Sequence, residues 1–383
     1  MSLYGKFFRE FLFPVYEQGL KRRKTLSLLK EMSQRQWLSQ EEILEFQWGK
    51  LKYLLNHAYK NVLFYQKLWK SLNIHPDDIK SPHDFSRLPV LTKANIREFS
   101  QDFLAVNYRN RKLYPSSSGG STGETVRFCY DHSSYEYRSA AAMRSDSWAG
   151  WEMGEKEFYI WGAPIFSKSV VNRVKREMHH WFIRRILFNC FDFSPKQMMA
   201  CIKLFNQTKP YALIAYASPL YLLAKYINKN KISVFQPKGI ISCAEPCYDF
   251  YREEIEKAFG AKVLNRYGCR EVTLIAAQCF ATQGLHVNAD NIYLEIVDGQ
   301  GRFCEPGVTG KVVVTDLNNL AFPFIRYENG DLASWGKNKC SCLRGLPVLD
   351  RVEGRVSQSV VCPSGKVVPG TFFHYYFKDV PWV

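Results

Sequence analysis

The chain has 383 residues, 46% of them hydrophobic and 15% aromatic, which excludes a small peptide scaffold and a disordered chain and predicts two or three domains. Its 52 Lys and Arg against 36 Asp and Glu leave a net charge of +16, favouring an anionic partner: a nucleotide, a nucleic acid or an acidic membrane surface. The 11 cysteines are odd in number and scattered, unlike a dense disulfide framework, so they are expected reduced and mostly buried in a cytoplasmic protein.

The start, MSLYGKFFREFLFPVYEQGLKRRK, sets Lys6, Arg9 and Glu10 among aromatics, unlike a secretion signal, and no run approaches the roughly 18 apolar residues of a membrane span. It reads either as an interfacial segment on an anionic leaflet, drawn by the basic run 21–24, or as a solvated basic turn beside a packed helix, the more ordinary outcome. Ser39 and Glu42 form a capping-box signature ahead of Leu51, Leu54, Leu55 and Ala58, predicting a helix over 40–59 in a mainly helical first hundred residues. From Tyr114 a Ser/Gly/Thr cluster gives way to alternating apolar runs and amphipathic segments, as in a crossover-connected sheet. Ser194 and Pro195 mark a helix start, and 211–216 reads as a buried strand. Residues 238–242 read as a strand, Tyr251, Ile255, Ala258 and Phe259 as a helix face, Gly260 as its cap and 262–265 as the next strand, a β-α-β unit ending at Tyr267. Beyond Gly284 strands dominate: Tyr293, Glu295 and Val297 on one side of a strand, then 312–315 and 322–327. No fixed-period repeat argues for a solenoid or propeller.

Three segments carry residue types suited to chemistry. Residues 115–124, Pro-Ser-Ser-Ser-Gly-Gly-Ser-Thr-Gly-Glu, crowd backbone amides and hydroxyls without bulky side chains, which suits a polyphosphate. No Gly-Lys-Ser/Thr follows, so this is no Walker A loop, and a flexible linker is the bland reading. In Tyr267-Gly268-Cys269-Arg270-Glu271 the aromatic can stack on a base, Arg270 can pair with phosphate and Glu271 can hold Mg²⁺ through hard oxygens; alone it would be a turn with a surface ion pair. In 326–331, Arg-Tyr-Glu-Asn-Gly-Asp, Asp331 follows a tight turn at a strand end and can accept two ribose hydroxyls, against the plain alternative of a hairpin. Separately, Cys279-x6-His286 and Cys340-x-Cys342 offer three sulfurs and an imidazole, the composition of a closed structural zinc site, although buried cysteines often only pack.

In this order and spacing, the first three segments resemble the adenylate-forming acid ligases, in the branch of phenylacetate-CoA ligase and the CapK-like capsular polysaccharide proteins. The matching residues are Ser118-Gly119-Gly120-Ser121-Thr122-Gly123, Ala244-Glu245-Pro246, Tyr267 to Glu271, Arg326 to Asp331 and a Gly354-Arg355 hinge. The N-terminal stretch is similar too, from Gln47 through Leu55, Ala58, Phe64-Tyr65 and Leu88-Pro89 to Thr92-Lys93. The sequence departs from the pattern at Glu124-Thr125, at Arg270, where Thr or Ser is usual, and at Ser357-Gln358 after the hinge; Arg270 is closer to the CapK-like branch.

The resemblance implies an α/β fold: a large adenylate-forming domain with a helical N-terminal region (1–110), an α/β nucleotide- and acid-binding core (111–283) and a β-rich subdomain (284–355). Residues 356–383 would be the hinge and the start of a truncated C-terminal domain. It also implies a two-step reaction, in which a carboxylate attacks the α-phosphate of Mg-ATP and the acyl-adenylate passes its acyl group to CoA, a saccharide or another acceptor. The implied roles are nucleotide contact by residues 118–123, Ala244, Glu245, Pro246, Tyr267, Gly268 and Asp331, and catalysis by Glu271, as the Mg²⁺ ligand, with Arg270 and Arg355. The cofactor set expected is ATP and Mg²⁺, with CoA and structural Zn²⁺ as further candidates. The expected setting is capsule or exopolysaccharide synthesis in the cytoplasm or at the inner membrane face, with peripheral membrane association and no nucleic-acid partner. The alternative is a truncated, impaired relative that binds nucleotide or partners without turnover. Tyr135, Tyr137, Trp148 and Trp161 are candidates for an acyl pocket, with core packing the commoner fate of such aromatics; His179 and His180 receive no role.

Overall fold

The computed structural model describes residues 2–118, 125–162, 170–190, 193–281, 284–355, 360–361 and 367–368. The first hundred residues are helical, as their patterning predicts: α1 (Leu3–Phe7) runs on through π-helical turns at Phe8–Leu12 and Val15–Leu20, followed by α2 (Thr25–Arg35), α3 (Gln40–Asn61), α4 (Leu63–Ser71), α5 (Pro82–Ser86) and α6 (Lys93–Glu98). The capping box of α3 forms as expected: Glu42 donates its amide to the Ser39 hydroxyl at 3.1 Å and its carboxylate accepts the Ser39 amide at 2.8 Å. The antiparallel pair β1 (Tyr114–Ser117) and β2 (Arg127–Tyr130) flanks the Ser/Gly/Thr segment and leads into α7 (His132–Trp148). Next come β3 (Glu157–Trp161), α8 (Val170–Phe182), β4 (Arg185–Asn189), α9 (Pro195–Thr208), β5 (Ala212–Tyr216), α10 (Ala217–Lys229), β6 (Gly239–Cys243), α11 (Asp249–Phe259) and β7 (Val263–Cys269). The remaining strands are β8 (Thr273–Gln278), β9 (Leu285–Val287), β10 (Ile292–Val297), β11 (Gly310–Asp316), β12 (Tyr327–Trp335), β13 (Val348–Arg355) and the two-residue pair β14 (Val360–Val361) and β15 (Val367–Val368).

Internal contacts divide the chain into two compact units that interleave in sequence: Met1–Leu26, Ala142–Tyr267 and Ala277–Phe280 form one, and Ser27–Ala141, Gly268–Ala276 and Ala281–Val383 the other. In the first, β7, β6, β5, β3 and β4 lie in that order, all parallel. Phe158, Ile160, Leu213, Ile240 and Val263 bury one face of this sheet against Leu220 and Leu223 of α10 and Ile255 and Phe259 of α11. The β6-α11-β7 unit is the one legible in the sequence, and Gly260 ends α11 in the left-handed conformation (φ 65°) open to glycine. Ser194 precedes α9 as expected, but its hydroxyl makes no cap hydrogen bond.

In the second unit the antiparallel order is β10, β11, β12, β13, β9, β8. Helix α3 is fastened to this sheet by hydrogen bonds from Gln47 to the Ile292 carbonyl (2.7 Å), from Lys50 to Asn318 (2.6 Å) and between His57 and the Leu320 carbonyl (2.9 Å). One sequence expectation holds in this unit and one fails. Tyr293, Glu295 and Val297 alternate along β10 and so share one face, although all six residues of the strand are buried. Residues 322–326 are not a strand; β12 begins at Tyr327, where the expected strand ended.

The break immediately before Tyr327 lies at Arg326. It has a positive φ of 50°, which breaks a strand, and its buried guanidinium meets Glu295 in two hydrogen bonds of 3.1 and 3.0 Å. It also donates to the carbonyls of Ser86 and Leu88, while its own carbonyl accepts the Leu91 amide at 2.8 Å. Arg326→Ala would strand the Glu295 carboxylate in the core, and we expect a loss of roughly 3–5 kcal/mol of stability, read as a lower urea midpoint at unchanged slope.

Candidate active site

The residues singled out from the sequence fall at the ends and irregularities of strands. In the first unit, Ala244-Glu245-Pro246 follows the carboxyl end of β6, the edge of a parallel sheet where ligands commonly bind. Ala244 is exposed with φ 69°, a turn that carries the chain off the strand. The Glu245 carboxylate accepts the Ser218 amide at 2.9 Å and the Ser218 hydroxyl, at the second residue of α10, where free helix amides favour a negative charge. Trp161, at the carboxyl end of β3, packs its ring 4.3 Å from that of Tyr216 at the end of β5. Tyr267, half-buried, closes this unit's share of β7.

In the second unit Gly268 leaves β7 so close to the next strand that an added Cβ would lie 2.0 Å from the Thr273 carbonyl oxygen, which explains the glycine. Arg270 is exposed and Glu271 buried. One Glu271 carboxylate oxygen accepts the Tyr327 hydroxyl at 2.9 Å, and the Glu271 carbonyl accepts from Arg138 at 2.9 Å. Arg138 also binds the Asp316 carboxylate at 2.8 Å and the Thr273 hydroxyl at 3.1 Å. Burial, and next the Glu271 charge, push the Cys269 thiol well above its usual range, so it stays neutral beside the carboxylate.

Asp331 does not follow a turn at a strand end, as the sequence suggests, but lies within β12. Lys311 pairs with Leu332 and Val313 with Glu328, so Asn329, Gly330 and Asp331 stand opposite Val312 alone and bulge from the ladder. A bulge re-aims side chains. Buried Asp331 accepts the Asn329 side-chain amide at 2.9 Å and donates its own amide to the Asn329 side-chain oxygen at 3.0 Å. Arg355 ends β13 in register with Asp331.

Ser118 is buried at the mouth of the Ser/Gly/Thr segment, its amide donating to the Val126 carbonyl (2.9 Å) and its hydroxyl accepting the Val126 amide (2.8 Å). Gly119, Gly120, Ser121, Thr122 and Gly123 lie outside the described residues, as do 356–359 after the Gly354-Arg355 hinge. Of the acyl-pocket candidates, Trp148 is buried, Tyr135 stacks on Tyr114 at 5.7 Å, Tyr137 lies beneath the Lys50 ammonium at 4.0 Å and Trp161, the last residue of β3, packs on Tyr216. Sequence reasoning missed Arg138, Asp316 and Ser218 altogether. Arg138 and Asp316 stand 178 positions apart and no local pattern joins them.

The cysteine and histidine set does assemble. His286 on β9 is buried with Nε2 3.3 Å from the Cys342 sulfur, and Cys342 donates its amide to the Cys340 sulfur at 3.4 Å. His286, Cys340 and Cys342 all belong to the second unit, and their ligand atoms lie within 4.8 Å of one another. Tetrahedral zinc, with sulfur bonds of about 2.3 Å, sets its ligands about 3.8 Å apart, so this donor set fits the ion. Partial burial raises the Cys342 thiol, but hydrogen bonds from Arg344 and Cys340 and the Arg344 charge outweigh it and hold the thiol below its usual range.

No family model matches the chain. The architecture is that of the adenylate-forming acid ligases: superposed on a 2-hydroxyisobutyryl-CoA ligase crystallised with its acyl-adenylate, it gives a TM-score of 0.70 at 22% identity, covering 87% of this chain and 72% of the other. Its sequence is similar to those of phenylacetate-CoA ligases and of protein CapK. It is 26% identical to the phenylacetate-CoA ligase of Escherichia coli K12 over 342 residues, 86% of this chain and 75% of the relative. To protein CapK of Staphylococcus aureus it is 26% identical over 299 residues, 76% of this chain and 62% of that one.

The close approach at Gly268 is testable. Gly268→Ala must displace backbone and should destabilise by about 1–3 kcal/mol, whereas Gly299→Ala, with nothing within 4 Å of its added Cβ, should stay within about 0.5 kcal/mol of wild type in the same urea titration.

Proposed function

We propose that this chain is an AMP-forming acid ligase: it activates a carboxylic acid with ATP, releasing pyrophosphate, and transfers the acyl group from the adenylate to CoA or another acceptor. The observation that carries this reading is Glu271, a buried carboxylate aligned by the Tyr327 hydroxyl at the end of the Tyr267–Glu271 segment, in a chain whose sequence and fold are similar to acid ligases. A 2-hydroxyisobutyryl-CoA ligase crystallised with its acyl-adenylate and CoA supports both half-reactions.

In this reading the backbone amides of residues 118–123 and exposed Arg270 receive the phosphates, and Tyr267 stacks on the base beside Ala244 and Pro246. Asp331, re-aimed by its bulge, accepts the ribose hydroxyls, and Arg355 approaches the nucleotide from the neighbouring strand. Glu271 would hold Mg²⁺, which neutralises charge gathering on the phosphate oxygens. Tyr327 keeps the carboxylate oriented, so its role is positioning. The similarity to protein CapK favours a place for this reaction in capsule or exopolysaccharide synthesis. No described helix is long and apolar enough to cross a membrane.

Pyrophosphate release from Mg-ATP, measured across aryl, fatty, amino and sugar acids, tests the reading. Release should depend on one class of acid, fall by about 100-fold or more in Glu271→Ala and by roughly ten-fold in Tyr327→Phe. Release undiminished in Glu271→Ala would sink the assignment, and ATP binding without release for any acid would favour a binding-only relative.

A structural zinc at Cys279, His286, Cys340 and Cys342 belongs to the same proposal, supported by the convergence of His286, Cys340 and Cys342 in the second unit. Metal analysis of purified protein should find about one zinc per chain. Cys340→Ser with Cys342→Ser should abolish it and lower the melting temperature; wild-type protein purified without metal and equally stable would refute the site.

A further inference from the structure

We propose that the first 24 residues and α8 form a docking face for an anionic membrane surface. This inference is independent of the ligase reading. The N-terminal helical segment packs against the carboxyl end of α8 through ring contacts of Phe8 and Tyr16 with Phe182 at 5.0 and 4.9 Å. Phe8 and Phe13 turn inward and are buried, while Leu3, Phe7 and Phe11, four residues apart, are exposed, with Leu3 at 91%. Phe7 and Phe11 stack on each other at 5.5 Å, forming a stripe along the outside of the segment.

Helix α8 repeats the pattern. Val171, Val174, Met178 and Trp181 follow at intervals of three, four and three residues, which places them on one side of an α-helix, and all are exposed, Trp181 to 82%. Single exposed apolar residues are ordinary on soluble proteins; two ordered stripes on neighbouring helices are not.

Charge decides among occupants. Between residues 1 and 24 there are six basic residues against two acids, and between 170 and 185 five against one. Glu17 and Arg23 pair with each other at 2.9 Å and Arg185 pairs with Glu157 at 2.7 Å, which leaves the excess positive in both stretches. A second copy docked through this face about a two-fold axis would set cations against cations. A nucleic acid would match the charge but leave the apolar stripes unused. An anionic leaflet satisfies both, with headgroups meeting Lys and Arg and the acyl boundary receiving Phe7, Phe11, Met178 and Trp181.

Flotation of the full chain with vesicles of phosphatidylcholine, alone or mixed with phosphatidylglycerol, tests the face. Wild type should float only with the anionic vesicles, and less so as salt rises. Met178→Glu with Trp181→Glu, and Arg173→Glu with Lys175→Glu, should each weaken binding by about ten-fold or more while circular dichroism and pyrophosphate release stay at wild-type levels. If either pair misfolds, Trp181→Ser alone should reproduce the direction of the effect. Absence of flotation at low salt, or flotation that none of these variants weakens, overturns the proposal. So does a dimer in sedimentation velocity that Met178→Glu with Trp181→Glu separates, since the face would then belong to a second copy.

Discussion

A buried arginine that must find an anion organises the second unit. Removing a guanidinium from water is compensated only when charge and geometry are both met, and Arg326 meets them with two hydrogen bonds to Glu295 and two more to the carbonyls of Ser86 and Leu88. The segment before α6 is thereby fixed to β10 and to the start of β12. The next residue inherits the placement: Tyr327, fully buried, delivers its hydroxyl to Glu271. Four residues further on, the bulge presents Asp331. The carboxylates of Glu271 and Asp331 thus both depend on the conformation of Arg326, which hydrogen-bonds to neither of them.

The charge distribution follows the same logic. The chain is strongly basic overall, yet the second unit buries Glu271, Glu295, Asp316 and Asp331. Each has a dedicated donor: a tyrosine hydroxyl, two arginines and an asparagine amide. A net positive chain attracts anions in general, while buried carboxylates oriented by fixed donors are held in definite positions. In the first unit Glu245 serves a different end, its charge absorbed by the start of α10.

Legibility in the sequence followed the range of the interactions. The α3 capping box, the β6-α11-β7 unit and the Gly260 cap are set by neighbours within a turn or two, and periodicity and punctuation reveal them. Arg-Tyr at 326–327 read as the end of a strand because both residues tolerate extended backbone. The demand that places Arg326 at positive φ comes from Glu295, 31 positions away, and Ser86, 240 away. The bulge at Asp331 is invisible for a similar reason, since it is a mismatch between two strands that neither strand encodes alone. The cysteines and His286 were legible as a donor set, but their convergence depends on strand order.

The interleaving of the two units bears on how the chain emerges from the ribosome. Phe8 is made early but meets Phe182, 174 positions later. At about 5–20 residues per second, the N-terminal segment waits roughly 10–35 s for its partner. Throughout that interval both its buried and its exposed aromatics face water. Its closure is a long-range contact of the kind that slows folding, and the wait makes the first 26 residues a natural target for chaperones during synthesis.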